Sequence, residues 1–229
     1  GTEKGIYLSW NGGMNWEPLQ LHLPVTPVLD LKVHQGALAV ATSGRSIWVL
    51  DDLNVLQQKA KSGIKLYQPE DAVYGHWYGP LNSSNTSSFK GAGALSGVNP
   101  ANGVVIYYEL LALEDDAHIS LDIKDEKGNV VRSFSSKSTT SYKRYAGGPP
   151  PPLTLSKNKG LNRMVWDMRH ETMTGVTGVY IEGSYRGHRV APGSYTLSLT
   201  VDGKTYDQQA KVVERPDMGD SAETNVAYH

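Results

Sequence analysis

Four groups of acidic residues stand close enough along this chain to be weighed as paired carboxylates: Asp51 with Asp52, Glu70 with Asp71, Glu114 with Asp115 and Asp116, and Asp167 with Glu171. Two carboxyl groups about 5 to 10 Å apart across a sugar are what glycoside hydrolysis needs. Neighbouring residues of a strand face opposite sides, so a carboxylate doublet does not converge on one bond. Asp51 or Asp52 is expected to cap the turn that follows, and residues 114–116 to form a solvated turn. The seven histidines, His22, His34, His76, His118, His170, His188 and His229, include no pair at metal-ligand spacing and no His-Glu-x-x-His, so neither a metal nor a cofactor is expected. There is no cysteine, which removes disulfides, thiolate nucleophiles and cysteine metal sites together. Ser43-Gly44-Arg45-Ser46 lacks the Gly-x-Ser-x-Gly elbow, and Gly91 and Gly93 precede no helix that would make a phosphate loop.

Aromatic side chains are the other resource. Trp16, Trp48 and Trp166 sit in strand-like runs and are expected to pack inside. His76-Trp77-Tyr78, between Gly75 and Gly79, reads as a surface recognition element. Asn82-Ser83-Ser84 and Asn85-Thr86-Ser87 fit a glycosylation acceptor pattern and mark an exposed loop.

The elements that must carry these residues are strands. Asn11-Gly12-Gly13 is a turn between an apolar run at residues 6–8 and a second run at 16–23 that contains Pro18. Val28/Leu29, Leu31 and Val33 alternate with polar Asp30, Lys32 and His34, Gln35-Gly36 turns the chain, and runs at 38–42 and 47–50 follow. Four or five short strands in about fifty residues match the size of one propeller blade. A short helix is expected within 51–61, an extended surface connector over 64–78, and a loop rich in Ser, Asn and Gly over 81–102. A second β unit begins at Val104. Ile119, Leu121 and Ile123 form one half-buried face, and residues 126–129 turn into a partner strand at 130–134. Pro149 to Pro152 enforce an extended segment that cannot join a central strand. Met164, Trp166 and Met168 lie on one side of a strand. Tyr195, Leu197, Leu199 and Val201 alternate strictly before the hairpin pair Asp202-Gly203. The expected fold is therefore all-β, with residues 1–62 as a blade with its helix, 63–103 as connector and flexible loop, 104–214 as a sandwich and 215–229 as a tail.

A net charge of −1 gives no field to draw the chain onto nucleic acid or an anionic membrane, and no apolar run approaches the roughly 18 residues of a membrane span. No signal peptide is visible. The opening residues read as the lead-in to a strand, so further chain is expected upstream.

Ser9, Asn11, Gly13 and Trp16 resemble the Asp-box of bacterial neuraminidase (BNR) repeats, with Asn11 where aspartate is usual. The residue types suit a hairpin clip: an Asx side chain on nearby amides, glycine at positive φ, an aromatic beneath the turn. The likeness extends to residues 1–7, 23–28 and 41–52, which look like the last blade of large bacterial proteins in the sortilin-like BNR group, often labelled glycosyl hydrolases. Residues 160–169 and 191–196 are similar to the immunoglobulin-like β-sandwich that ends those proteins. The resemblance implies a terminal β-propeller blade followed by an immunoglobulin-like sandwich, in a periplasmic or extracellular protein. The implied role is a non-catalytic module that gives structural support and binds carbohydrate or protein. The alternative is a share in a glycoside hydrolase acting on a poly- or oligosaccharide. A sialidase-type site gathers arginines and a tyrosine from several blades, which one blade cannot supply. The implied partners are upstream blades, a saccharide or protein ligand, and a second copy through the blade. A lone blade leaves apolar faces that neighbours normally cover, so an exposed or oligomer-covered apolar face is expected on residues 1–51.

Overall fold

A computed structural model describes residues 1–58, 63–74, 101–113, 117–137 and 145–214. The protein is all-β. Among the described residues its one helix is α1 (Leu53–Gln57), and the chain divides into two compact units, Gly1–Gln58 and Lys59–His229.

In the first unit, β1 (Tyr7–Leu8) pairs with β2 (Glu17–Pro18), and β3 (Val28–His34), β4 (Ala37–Thr42) and β5 (Ile47–Leu50) form an antiparallel sheet in that order. The second strand is two residues long rather than the eight of the 16–23 run, because Pro18 offers no amide and Leu21 turns at positive φ. Register places Leu31, Val40 and Trp48 on one face, with Val33, Leu38 and Leu50 beside them. Leu38, Val40, Trp48 and Leu50 of that face cluster with Ile6, Leu19 and Leu23, while Leu31 and Val33 are exposed. The opposite face presents Ala39 with Val49 and Ala41 with Ile47. Asp52 does not cap the helix through its side chain. It adopts a left-handed conformation at φ 53°, and the Leu53 amide bonds instead to Gly36 O at 2.8 Å, hooking the helix onto the β3–β4 turn.

The second unit starts earlier than expected. Residues 63–74 are not a surface connector: β6 (Ile64–Leu66) pairs with β8 (Val104–Leu110), β7 (Ala72–Val73) pairs parallel to β13 (Lys204–Val213), and Leu66 and Tyr67 are buried. Loss of water from these side chains draws the segment into the sheets. The remaining strands are β9 (Ile119–Lys124), β10 (Val130–Ser135), β11 (Gly160–Trp166) and β12 (Gly193–Val201). They make a five-stranded sheet, β10-β9-β12-β13-β7, and a three-stranded sheet, β11-β8-β6. Both sheets contribute to one apolar core. Ile119, Leu121 and Ile123 of β9 stand opposite Val201, Leu199 and Leu197 of β12, all fully buried. Asp202 and Gly203 both have positive φ, as a type I′ turn requires. At the β9–β10 turn, the Asn129 side-chain bond, with the Asn129 and Lys127 amides, holds the Asp125 carboxyl below the usual carboxylate range.

Two tyrosines make this core sensitive to alkali. Burial pushes the Tyr195 phenol up to about 12, helped by the nearby Asp125 and Glu126, and burial pushes Tyr108 higher still. A free tyrosine titrates near 10, so the fold holds the neutral phenol. That contribution is complete below about pH 10 and is lost as pH rises toward about 12. Urea midpoints measured across this window should fall steeply in the wild type. The fall should be shallower in Tyr195→Phe. Identical profiles would refute the assignment.

Candidate functional site

A hollow walled by several elements lies on the solvent side of β9 and β10. Alternation turns Ile119, Leu121 and Ile123 inward, so Ser120 and Asp122 face out. A register shift between Val130 and Arg132 re-aims the edge strand β10 and places Arg132, Ser133 and Ser135 beside them. Pro149, Pro150 and Leu153 wall one side, and Glu171 and Met173 the other, around about 400 Å³. The proline wall stays beside the sheet because Thr154 bridges Ser135, the Leu155 amide bonds to Ser135 O at 2.9 Å, and Leu155 is buried.

Ser133 joins two carboxylates. Its hydroxyl donates to Asp122 Oδ1 at 2.6 Å, and its amide donates to Glu171 Oε1 at 2.6 Å. Arg132 lies 3.8 Å from Glu171 Oε2 and donates from Nη1 to the His170 carbonyl at 2.5 Å. His118 Nε2 lies 3.0 Å from Ser135 Oγ, which also accepts the Lys137 amide at 3.1 Å. Beyond the groove, the His170 and His188 rings stack 3.9 Å apart, and Arg169 donates to Gly187 O, fastening residues 168–173 to 185–190.

Chemically this is a set of donors and acceptors. A glycosidase pair must face an open sugar bond, whereas Ser133 stands bonded between Asp122 and Glu171. The Ser135–His118 contact resembles half a nucleophile–base pair. Among the described residues no third group bonds the other His118 ring nitrogen, so the orienting member is missing. Asp167 and Glu171 are not brought together: Asp167 acts on Arg169, while Glu171 enters the groove. No group of three metal-ligating side chains occurs among the described residues, and no described helix is long and apolar enough to cross a membrane.

No family model, no curated protein and no solved structure matches this chain.

Ser9, Asn11, Gly13 and Trp16 do converge. Ser9 Oγ donates to Asn11 Oδ1 at 3.1 Å and accepts the Gly13 amide at 2.7 Å, while Asn11 Oδ1 accepts the Asn15 amide at 2.9 Å. Gly12 and Gly13 have positive φ, and Trp16 lies against Gly13. Trp16 is nonetheless 63% exposed and is not a core residue, because the two-residue β2 offers no layer to cover it. Trp48 is half-buried and Trp166 fully buried, as their strand positions require. His76, Trp77 and Tyr78 lie outside the described residues, as do Glu114, Asp115 and Asp116, the glycosylation patterns at Asn82 and Asn85, Gly91 and Gly93, and the tail at 215–229. Sequence reasoning missed Asp122, Arg132 and Ser133. The one signal for Asp122 was the outward phase of an alternating strand; Arg132 and Ser133 are neighbours in sequence and come to the groove through the β10 register shift.

Proposed function

We propose that the chain is a non-catalytic carboxy-terminal module of a larger, exported β-propeller protein of the sortilin-like BNR kind, combining a last blade with an immunoglobulin-like sandwich that binds a saccharide or a protein. The observation that carries this is the β4–β5 part of the first unit's sheet, apolar on both faces, with β3 bringing Asp30, Lys32 and His34 to the outer face beside Ala41, Ala39 and Ala37. Leu38, Val40 and Leu50 supply one face, and Ala39, Ala41, Ile47 and Val49 the other, with Ile47 71% and Val49 60% exposed. A half-solvated antiparallel sheet carries polar residues on its outer face; apolar residues on both sides belong to a sheet covered from both sides. Blades in a ring meet that condition.

The Ser9–Asn11–Gly13 clip supports the blade by the same geometry the Asp-box residue types imply. Tyr195 supports the sandwich. Its hydroxyl bonds back to Ala191 O at 2.6 Å, four residues upstream, and its ring meets Trp166 edge-on at 5.2 Å. A tyrosine tied to upstream backbone beside a buried tryptophan is a recurring device of immunoglobulin-like cores. The hydrolase alternative is less favoured because the groove carboxylates are engaged by Ser133.

The full chain should bind an apolar dye such as anilinonaphthalene sulfonate, or sediment as an oligomer, through residues 39–49. Ile47→Glu with Val49→Lys should abolish this while leaving stability within about 0.5 kcal/mol, as for surface changes generally. A wild-type chain that is monomeric and dye-free, or that keeps its association in the double variant, would refute the blade reading.

A further inference from the structure

The groove on β9 and β10 shares Pro149 and Pro150 with a second hollow of about 500 Å³ lined by Tyr145, Gly147 and Gly148. Two tyrosine rings are seated here on glycine backbone. A Cβ on Gly147, which has φ 75°, would come within 2.5 Å of the Tyr180 ring, and one on Gly148 within 2.7 Å of the Tyr145 ring. A Cβ on Gly175 would meet the Tyr145 hydroxyl at 2.5 Å and Pro149 at 2.7 Å. Tyr145 also donates to Val176 O at 2.8 Å, tying the proline segment to the 173–180 loop. Tyr180 is held in this way yet is 73% exposed, an apolar plane presented to solvent.

We infer that the two hollows form one cleft that binds a neutral oligosaccharide, an inference that rests on the non-catalytic binding role proposed above. A pyranose has an apolar face of C–H groups and an edge of hydroxyls. The proline rings of the lining, with Tyr180 lying against Gly147 of the second hollow, match the first; Ser120, Asp122, Ser133 and Glu171 match the second. Each carboxylate has more lone-pair sites than its internal contacts use. Asp122 and Glu171 are balanced by Arg132 and Lys137, so the groove has no single-sign field to select an ion. An extended peptide is disfavoured because the β10 edge is already engaged: Glu171 takes the Ser133 amide, and Ser135 O accepts from Leu155.

The test is amide chemical-shift mapping of the 15N-labelled full chain with cellohexaose, laminarihexaose, maltohexaose and mannohexaose, each to about 5 mM, the range of weak single-site binding. At least one should shift amides at 120–122, 133, 147–149 and 173–180. Tyr180→Ala should weaken that binding about two- to tenfold. Asp122→Asn should weaken it about tenfold or more. Trp16→Ala, on the other unit, should leave it unchanged. Silence with all four sugars, shifts confined to residues 1–58, or indifference to both cleft substitutions would overturn the inference while leaving the blade reading intact. New reducing ends appearing in the probe would instead sink the non-catalytic reading on which the inference rests.

Discussion

Trp166→Ala is expected to destabilise the larger unit by about 3 to 5 kcal/mol, the range for removing a fully enclosed large aromatic side chain. Trp166 has no exposed surface, and its strand neighbours leave no route for collapse: it stands opposite Val104 on β8 and packs edge-on against Tyr195. The cost has a polar part as well. The indole N–H donates to Arg169 O at 2.9 Å, where the chain leaves β11 and Met168 adopts φ 55°. Removing the donor strands that carbonyl at the base of the 168–173 segment, which carries Glu171 into the groove. For a unit of this size the melting temperature should fall by roughly 10 °C or more. Trp16→Ala provides the contrast, with a change within about 0.5 kcal/mol expected because its ring is largely in solvent. Thermal melts followed by far-ultraviolet circular dichroism would compare the two. Equal losses would mean that the burial assignments are wrong.

That contrast marks how far the sequence can be read. Both tryptophans sit in strand-like runs. For Trp166 the alternation with Met164 and Met168 identifies a buried side, and all three are buried. For Trp16 the run is broken by Pro18, the strand shrinks to two residues, and nothing covers the ring. Long alternating segments behave likewise: the β9 and β12 faces are legible because a period of two fixes which side chains go inward, whereas β3 forms where its alternation places a strand but leaves Leu29, Leu31 and Val33 exposed. Strands β6 and β7 are not legible. Three and two residues cannot display a period, and their partners, Tyr108 and Val212, lie about 40 and 140 positions away. The groove is illegible for the same reason. It gathers residues 118–137, 149–154 and 171–173 through the β10 bulge, the Thr154 bridge and the Ser133–Glu171 bond, none of which has a local signature. The clip at Ser9 to Asn15 is local, and its residue types specify it.

Asn162→Ala should cost about 2 to 4 kcal/mol, far more than a strand asparagine would suggest. Register places Asn162 on the inward side of β11 opposite Tyr108, so its amide is buried among apolar neighbours. It is tolerated there because its polar atoms are satisfied. Oδ1 accepts Ser156 Oγ at 2.8 Å and the Asn158 amide at 3.0 Å, while Nδ2 donates to Asn158 O at 2.7 Å and Gly160 O at 3.0 Å. Tyr108 adds a fifth tether, donating to Ser156 O at 2.6 Å. Together these bonds fold residues 156–160 back onto the core and fix the end of the segment whose earlier part, Pro149 to Thr154, walls the groove. Alanine would leave a cavity lined with unpaired donors and acceptors, which is costlier than losing the bonds alone. Asn162→Asp tests the role of the amide: it keeps the shape and both acceptor contacts but loses the two Nδ2 donations and introduces a buried charge, so it should be no better tolerated than alanine. Hydrogen exchange should then accelerate first at the Leu155 and Asn158 amides, ahead of β9 and β12, because the wall detaches before the core opens. Uniform acceleration across the unit would mean that Asn162 stabilises the core in general and has no particular hold on the wall.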